Sequence, residues 1–537
     1  MQDNFTNKQL DSTGRSQYAV FLPAISGFYA TFVGRQRATN DYVDPARFPA
    51  GLTDMEQLNW LNSQKAMFPY RWSLYSAGHA NLDLTKEDAS EDMVRKRDPN
   101  TIMLGDSGGF QIAKGLWEGD WKANSGCAKA QKKRAAVLTW LDSISNYGMG
   151  LDIPTWVVKD PKASAACQIT THDQAVEASK FNNEYFIANR KGKDAGGAKF
   201  LNVLQGANHT EAEDWYQVMK GYCDPVRYPG KHFDGWGMGG QNMCDVHLVL
   251  KRLVALRYDN LLQEGVHDWM HFLGTSKLEW AVLLTDIQRA IRKHVNPSFT
   301  ISFDCASPFL ATANGQVYYQ IALPHNDKWS YRMSPIVDDK KYATDTRPYG
   351  QAAVQEGWVS TFDESPISQT LTLKDICIYK AGVVKPGVVL TEENFKDPAM
   401  YAVLPDVNKN GKWGKTSWDS FSYALLMGHN VWTHIESVQR ANREYDQGIM
   451  PKMMWNENGD HARFRDIVDS IFAAPDRDAA NEIIEHYDSY WMDIVGTRGF
   501  KGKKAKNANT MFNALFYEEA PYVEPALDEN SLTNLET

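Results

Sequence analysis

Cysteine is sparse and scattered: six residues, at 127, 167, 223, 244, 305 and 377, spread over 537 positions without one C-x-x-C pair. That spacing excludes a disulfide-stapled small fold and the usual thiol redox and zinc-ribbon motifs, and it fits a reducing cytoplasm. No apolar run approaches the ~18 residues a membrane helix needs. Met1-Gln2-Asp3-Asn4 offers neither the basic n-region nor the apolar h-region of a secretory signal. A soluble protein with no membrane partner is expected. Basic charge is short as well: 57 Lys and Arg against 66 Asp and Glu, a net charge of −9. A protein that grips nucleic acid over its whole surface is thereby excluded, although regional phosphate contacts are not. The phosphate loop G-x-x-x-x-G-K-[S/T] and an N-terminal G-x-G-x-x-G are both missing, so no nucleotide cofactor is implied.

Aromatic residues, by contrast, are plentiful at 12%, with 17 Trp, ample both for a large core and for stacking surfaces. From Tyr70-Arg71-Trp72-Ser73-Leu74-Tyr75 onward, short apolar runs alternate with helical patterns, the rhythm of a parallel sheet with crossover helices. Strand candidates end near Asp106, Asp152, Gln205, Gly239, Gly274 and Asp304. Val137, Leu138, Leu141 and Ile144 mark one intervening helix, and Leu284, Ile287 and Ile291 another. Six or seven such units predict an irregular (β/α)₈ barrel of the TIM type, whose chemistry sits at the C-terminal strand ends. The reading places a packing segment at 1–65, the barrel core at 66–329, a large insertion at 330–425 and a helical region at 426–537. In that last region, the helix after His429-Asn430 should pack on the barrel. Arg498, Lys501, Lys503, Lys504 and Lys506 form the densest basic cluster, a solvated loop or a phosphate contact. An acidic tail follows.

The most informative stretch is Gly105-Asp106-Ser107-Gly108-Gly109-Phe110-Gln111, directly after the apolar run Thr101 to Leu104. It reads as a turn leaving a buried strand, with a carboxylate at the strand end, two glycines that admit close approach, and an aromatic face on which a base could stack. Taken alone it could equally be a capped strand-to-helix turn. In order after it come Leu151-Asp152, Val203-Leu204-Gln205-Gly206, Phe233-Asp234-Gly235 with Gly239-Gly240, Leu273-Gly274-Thr275, and Phe303-Asp304-Cys305 with Pro308.

This ordered set resembles the tRNA-guanine transglycosylase superfamily over roughly residues 66 to 320, and within it the DNA-guanine transglycosylases of phages and bacteria, which place a 7-deazaguanine in DNA. The resemblance implies the barrel fold, with Asp304 as nucleophile and Asp106 as acid/base, two carboxylates working as in a retaining glycosidase. It also implies a guanine pocket. Asp152 would accept from the base N1–H and amino group, Gln205 and backbone N–H groups near Gly206, Gly239 and Gly240 would face O6, Phe110 would stack, and Ser107 would complete the floor. The partners expected are DNA and a free 7-deazaguanine base such as 7-cyano-7-deazaguanine, with accessory proteins left open. The compartment would be the cytoplasm of a bacterial cell or a phage-infected host.

Departures from the family pattern bear on the polymer. Where members acting on tRNA carry two arginines beyond the nucleophile, Leu310 and Ala313 stand in Ser307-Pro308-Phe309-Leu310-Ala311-Thr312-Ala313. Phe309 and Leu310 could instead act as apolar wedges beside a flipped base, or lie in the core. Of the family's zinc ligands only Cys377 and His429 have counterparts, too few for a tetrahedral site, so no metal is assigned. Exchange on tRNA, and a non-catalytic barrel subunit that binds nucleic acid, remain the alternatives.

Overall fold

The structure, a computed structural model, describes residues 16–38, 48–325, 329–377, 418 and 420–494. Eight parallel strands form one sheet: β1 (Val20–Pro23), β2 (Trp72–Ser76), β3 (Ile102–Asp106), β4 (Tyr147–Met149), β5 (Lys199–Leu204), β6 (Gly235–Met238), β7 (Trp269–Phe272) and β8 (Thr300–Cys305). Their order is β1-β8-β7-β6-β5-β4-β3-β2. The two ends of the sheet meet at one parallel bridge, Ala24 to Leu74, with Ile25 N donating to Leu74 O at 2.9 Å. The result is a nearly closed (β/α)₈ barrel with a helical C-terminal extension.

Helices cover the outside because the chain alternates strand and crossover. They include α1 (Gly27–Ala38), α2 (Gly109–Ala113), α3 (Ala128–Ile144), α4 (His172–Asn189), α5 (His209–Met219), α6 (Val246–Tyr258), α7 (Leu278–His294) and α8 (Ser307–Ala313). The expected apolar stripes are buried: Val137, Leu138 and Leu141 on α3, and Leu284, Ile287 and Ile291 on α7. α7 also ends in Arg292, Lys293 and His294, cations that suit a helix C-terminus. At the opposite ends, side chains of Thr171, Asn208 and Asp245 cap α4, α5 and α6. These N-termini lie on the strand C-terminal side of the barrel, where a TIM-type fold keeps its site.

One expected boundary is corrected. Residues before 66 do more than pack on the barrel, because Val20–Pro23 is its first strand, paired with β8 in the register Val20 to Ser302 and Leu22 to Asp304. After α8 the chain leaves the barrel through an antiparallel hairpin of β9 (Gln316–Ala322) and β10 (Ser330–Pro335). It returns as α9 (Ser420–Asp446), nine residues earlier than the expected start at His429, with Val431, Ile435 and Val438 buried. α10 (Phe464–Ala473) then lies against α7, and α11 (Arg477–His486) against α6. Buried Asp286 on α7 pairs with Arg465 on α10 at 3.2 Å. Among the described residues no helix is long and apolar enough to cross a membrane.

Candidate active site at the barrel mouth

Every candidate pocket residue named from sequence falls at the C-terminal end of a barrel strand. Asp106 ends β3 and Asp304 is the penultimate residue of β8. Asp152 follows β4, Gln205 and Gly206 follow β5, and Gly239 and Gly240 follow β6. The carboxylates sense one another. Burial raises the Asp106 pKa, the Ser76 hydroxyl 2.7 Å from Oδ2 opposes the rise, and the charge of Asp304 adds to it. Asp152 is pushed up to about 7, first by burial and then by the charge of Asp106, with the Gln205 amide opposing. Displaced carboxyl groups gathered in a barrel mouth make this cluster the candidate site.

The turn after β3 needs its glycines. Gly108 sits at φ 85°, in the left-handed region, and a Cβ there would come within 2.4 Å of the Trp117 ring. This tight turn buries Ser107, whose hydroxyl donates to Gly150 O at 3.0 Å and so ties the β3 loop to the β4 loop. Phe110, half-buried on α2, lies with its ring centroid 6.1 Å from that of Trp156, and Lys114 Nζ is 5.2 Å from its face.

Beside this turn, where a Cβ on Gly109 would lie 2.6 Å from Asp152 O, Gln205 Nε2 donates to Asp152 Oδ2 at 2.8 Å. Gly239 leaves no room for a side chain beside that amide: a Cβ there would lie 2.6 Å from Gln205 Nε2. Asn242 stitches the same loops together, its Nδ2 donating to Gln205 O at 3.1 Å and Gly239 O at 3.2 Å. The Gln205–Asp152 pair thus offers a carboxylate and an amide side by side on a wall built from the β4, β5 and β6 loops.

Asp304 is held from β7. Trp269 and His271 share one face of β7, Ser302 and Asp304 one face of β8, and the register sets His271 beside Ser302. Trp269 Nε1 donates to Ser302 Oγ at 2.8 Å, Ser302 Oγ lies 2.8 Å from His271 Nδ1, and His271 Nε2 lies 3.0 Å from Asp304 Oδ1. A carboxylate can only accept, so in the neutral ring the polarity runs one way: Nε2–H points at Asp304, and Nδ1 accepts from the Ser302 hydroxyl, whose oxygen in turn accepts from the indole N–H. Gly274 N donates to the same Oδ1 at 2.8 Å, so both bonds converge on one oxygen of the carboxylate. His271 is fully buried, and sequence reasoning passes over it as one more residue of an apolar strand. The pairing of Trp-x-His on one strand with Ser-x-Asp on the next was the available signal.

Other expectations fare differently. Phe309 is corrected: it is 1% exposed, edge-on to Tyr29 at 5.6 Å and against Trp60, so its ring belongs to the core and is no wedge. Leu310 beside it is half-buried and Ala313 buried. Cys377 Sγ contacts Val337 O at 3.5 Å, and burial lifts its thiol to about 12. His429 lies between Ser365 Oγ at 2.8 Å and Tyr318 O at 2.7 Å, its pKa lowered to about 4 by burial. Among the described residues neither joins a group of three or more potential metal donors. Arg498, Lys501, Lys503, Lys504 and Lys506 lie outside the described residues.

A scan against protein-family profiles found no matching family, and a search of curated proteins found no matching relative.

Proposed function

We propose that the protein exchanges guanine in DNA for a free 7-deazaguanine, such as 7-cyano-7-deazaguanine, through a covalent aspartyl-sugar intermediate at Asp304. The observation that carries this reading is the treatment of two neighbouring carboxyl groups. Asp304 accepts two bonds at Oδ1, from His271 and Gly274 N, while burial and the charge of Asp304 raise the pKa of Asp106. That division suits a nucleophile and a proton carrier. Asp304 Oδ2 attacks C1′ of the target nucleotide, the bond to the ring nitrogen breaks, and Asp106 protonates the departing guanine. The incoming base then gives its ring N–H proton to Asp106, attacks C1′ from the opposite side and expels the Asp304 carboxylate. Two inversions preserve the sugar configuration.

Recognition falls to the other wall. Ionised Asp152 accepts from N1–H and the exocyclic amino group, and Gln205 with the backbone near Gly206, Gly239 and Gly240 faces O6. Phe110 supplies a stacking face, worth about 1–3 kcal/mol by analogy with single-strand binders. DNA is favoured as the polymer because the positions that are arginine in the tRNA-modifying pattern are Leu310 and Ala313, which supply no charge-assisted bonds. The test is a competition in which purified protein receives labelled guanine with equal amounts of DNA and tRNA. Label should enter the DNA. Labelling of tRNA would support the tRNA alternative, and labelling of neither the non-catalytic one.

A further inference from the structure

A second cluster of donor side chains lies away from the three carboxylates, on the same side of the barrel. His209 is the first residue of α5, Asp245 caps α6, and His247 is the second residue of α6. One ring nitrogen of each histidine and one carboxylate oxygen of Asp245 all lie within 4.8 Å of one another. Helix N-termini carry a partial positive charge of about half a unit each and by themselves repel a cation. The Asp245 carboxylate, one full negative charge, balances this. Its side chain is 1% exposed, Oδ1 caps the helix by accepting from Leu248 N at 3.2 Å, and Oδ2, 3.6 Å from His209 Nε2, receives no hydrogen bond among the described residues. The cations that line the neighbouring groove are each paired with an acid outside the triad: Lys251 with Glu485 at 2.7 Å, Arg252 with Glu213 at 2.9 Å, and Arg477 with Asp259.

We propose that His209, Asp245 and His247 bind one divalent transition-metal ion, with zinc the best match to the donor set and water completing its shell. Two imidazoles and a carboxylate are borderline ligands suited to zinc and its neighbours and poorly suited to magnesium or calcium. The surroundings fit as well. His247 Nε2 lies 3.2 Å from Glu485 Oε1, so a neutral ring donates there and presents its Nδ1 lone pair, the orienting arrangement common behind metal-bound histidines. The cluster also opens onto a groove of about 400 Å³ whose walls include His209, Glu213, His247, Lys251 and Glu485, which gives an ion an entry path and room for water. The ion would pin the starts of α5 and α6, and with them the Gln205–Gly206 and Gly239–Gly240 loops. This site revises the sequence-based assignment of no metal, which considered only the positions of Cys377 and His429. It stands independently of the base-exchange reading.

The experiment is metal analysis of the full-length protein after stripping with a chelator, equilibration with Zn²⁺ and gel filtration. Wild type and Cys377→Ala should each retain about one ion per chain, whereas His209→Ala and His247→Ala should retain about one-tenth of that or less. Titration with Co²⁺ should give a visible ligand-field band in wild type that His209→Ala lacks. His209 is 35% exposed, so its truncation should leave the far-ultraviolet circular dichroism unchanged, and it decides the matter alone if His247→Ala misfolds. Wild type with no ion above trace, or a folded His209→Ala that retains a full complement, would overturn the proposal. So would loss of the ion from Cys377→Ala.

Discussion

The two walls of the barrel mouth each hold a carboxyl group and treat it differently. On the β7–β8 wall Asp304 receives an imidazole and a backbone N–H at one oxygen, and the imidazole is itself fixed by Ser302 and Trp269. On the β4–β6 wall Asp152 has one amide donor, Gln205, and is pushed up to about 7. In the proposed function, the carboxylate that would attack is held by a chain of donors. The one that would accept from an incoming base is left short of donors until the base supplies them. In the proposed function this contrast separates the nucleophile on β8 from the base-reading residues on β4 to β6, and that separation can be broken from either side.

The largest effect should come from Asp304→Ala, which is expected to reduce base exchange by about 10⁴-fold or more while the fold survives. Because Gly274 N and His271 lose their acceptor, a stability loss of about 1–3 kcal/mol should accompany it. Near-normal exchange by Asp304→Asn would remove the nucleophile from the account. Asp106→Asn comes next, with exchange slowed by about 10²–10⁴-fold because an amide cannot cycle a proton. DNA binding should stay within a few-fold, and a parallel loss of binding and turnover would make Asp106 a turn residue only.

His271 is a positioning residue, so its removal should cost less. His271→Leu is expected to lower turnover by a factor on the order of 10² with little change in DNA affinity, the usual cost of a misaligned reacting group. His271→Gln, which keeps an N–H donor, should recover part of that loss. If both variants lost turnover only in proportion to lost thermal stability, the relay would be a packing feature.

The smallest effect is the pH dependence of free-base binding. In the proposed function Asp152 meets two guanine donors, N1–H and the amino group, and only the ionised carboxylate accepts at both oxygens, so affinity should rise about tenfold from pH 6 to pH 8 and then level off. Asp152→Asn should bind weakly and without that slope. Stability follows the opposite course: the folded pKa of about 7 exceeds the reference 3.8, so the folded state binds the extra proton across that window. Stability therefore falls as pH rises from about 4 to 7, and Asp152→Asn should be the more stable protein at pH 8. Calorimetry at pH 5 and pH 8 checks the crossover.

Much of this division is legible in the amino-acid sequence. Strand ends at Asp106, Gln205 and Asp304 follow from apolar runs that stop at polar or glycine residues, a local signal. β1 is not legible as a barrel strand because its partner, β8, lies some 280 residues away and a four-residue apolar run has no period of its own. The start of α9 is hidden for a related reason: Phe421 to Asn430 are all buried, and a helix buried all round shows no stripe. Phe309 beside a candidate nucleophile reads equally as wedge or core, and only its packing on Tyr29 and Trp60 decides. The His209, Asp245 and His247 cluster comes from two helix starts, distant in sequence, that the β5–β6 pairing brings together.

The central claim is that Asp304 becomes bonded to the sugar. It is tested most directly by mixing protein with a guanine-containing DNA oligonucleotide, quenching in denaturant, and separating the products on a denaturing gel. The account predicts a protein–DNA adduct with wild type, none with Asp304→Ala, and a peptide map that places the DNA on Asp304. An adduct that persists in Asp304→Ala, or active wild-type protein that yields none, would contradict it.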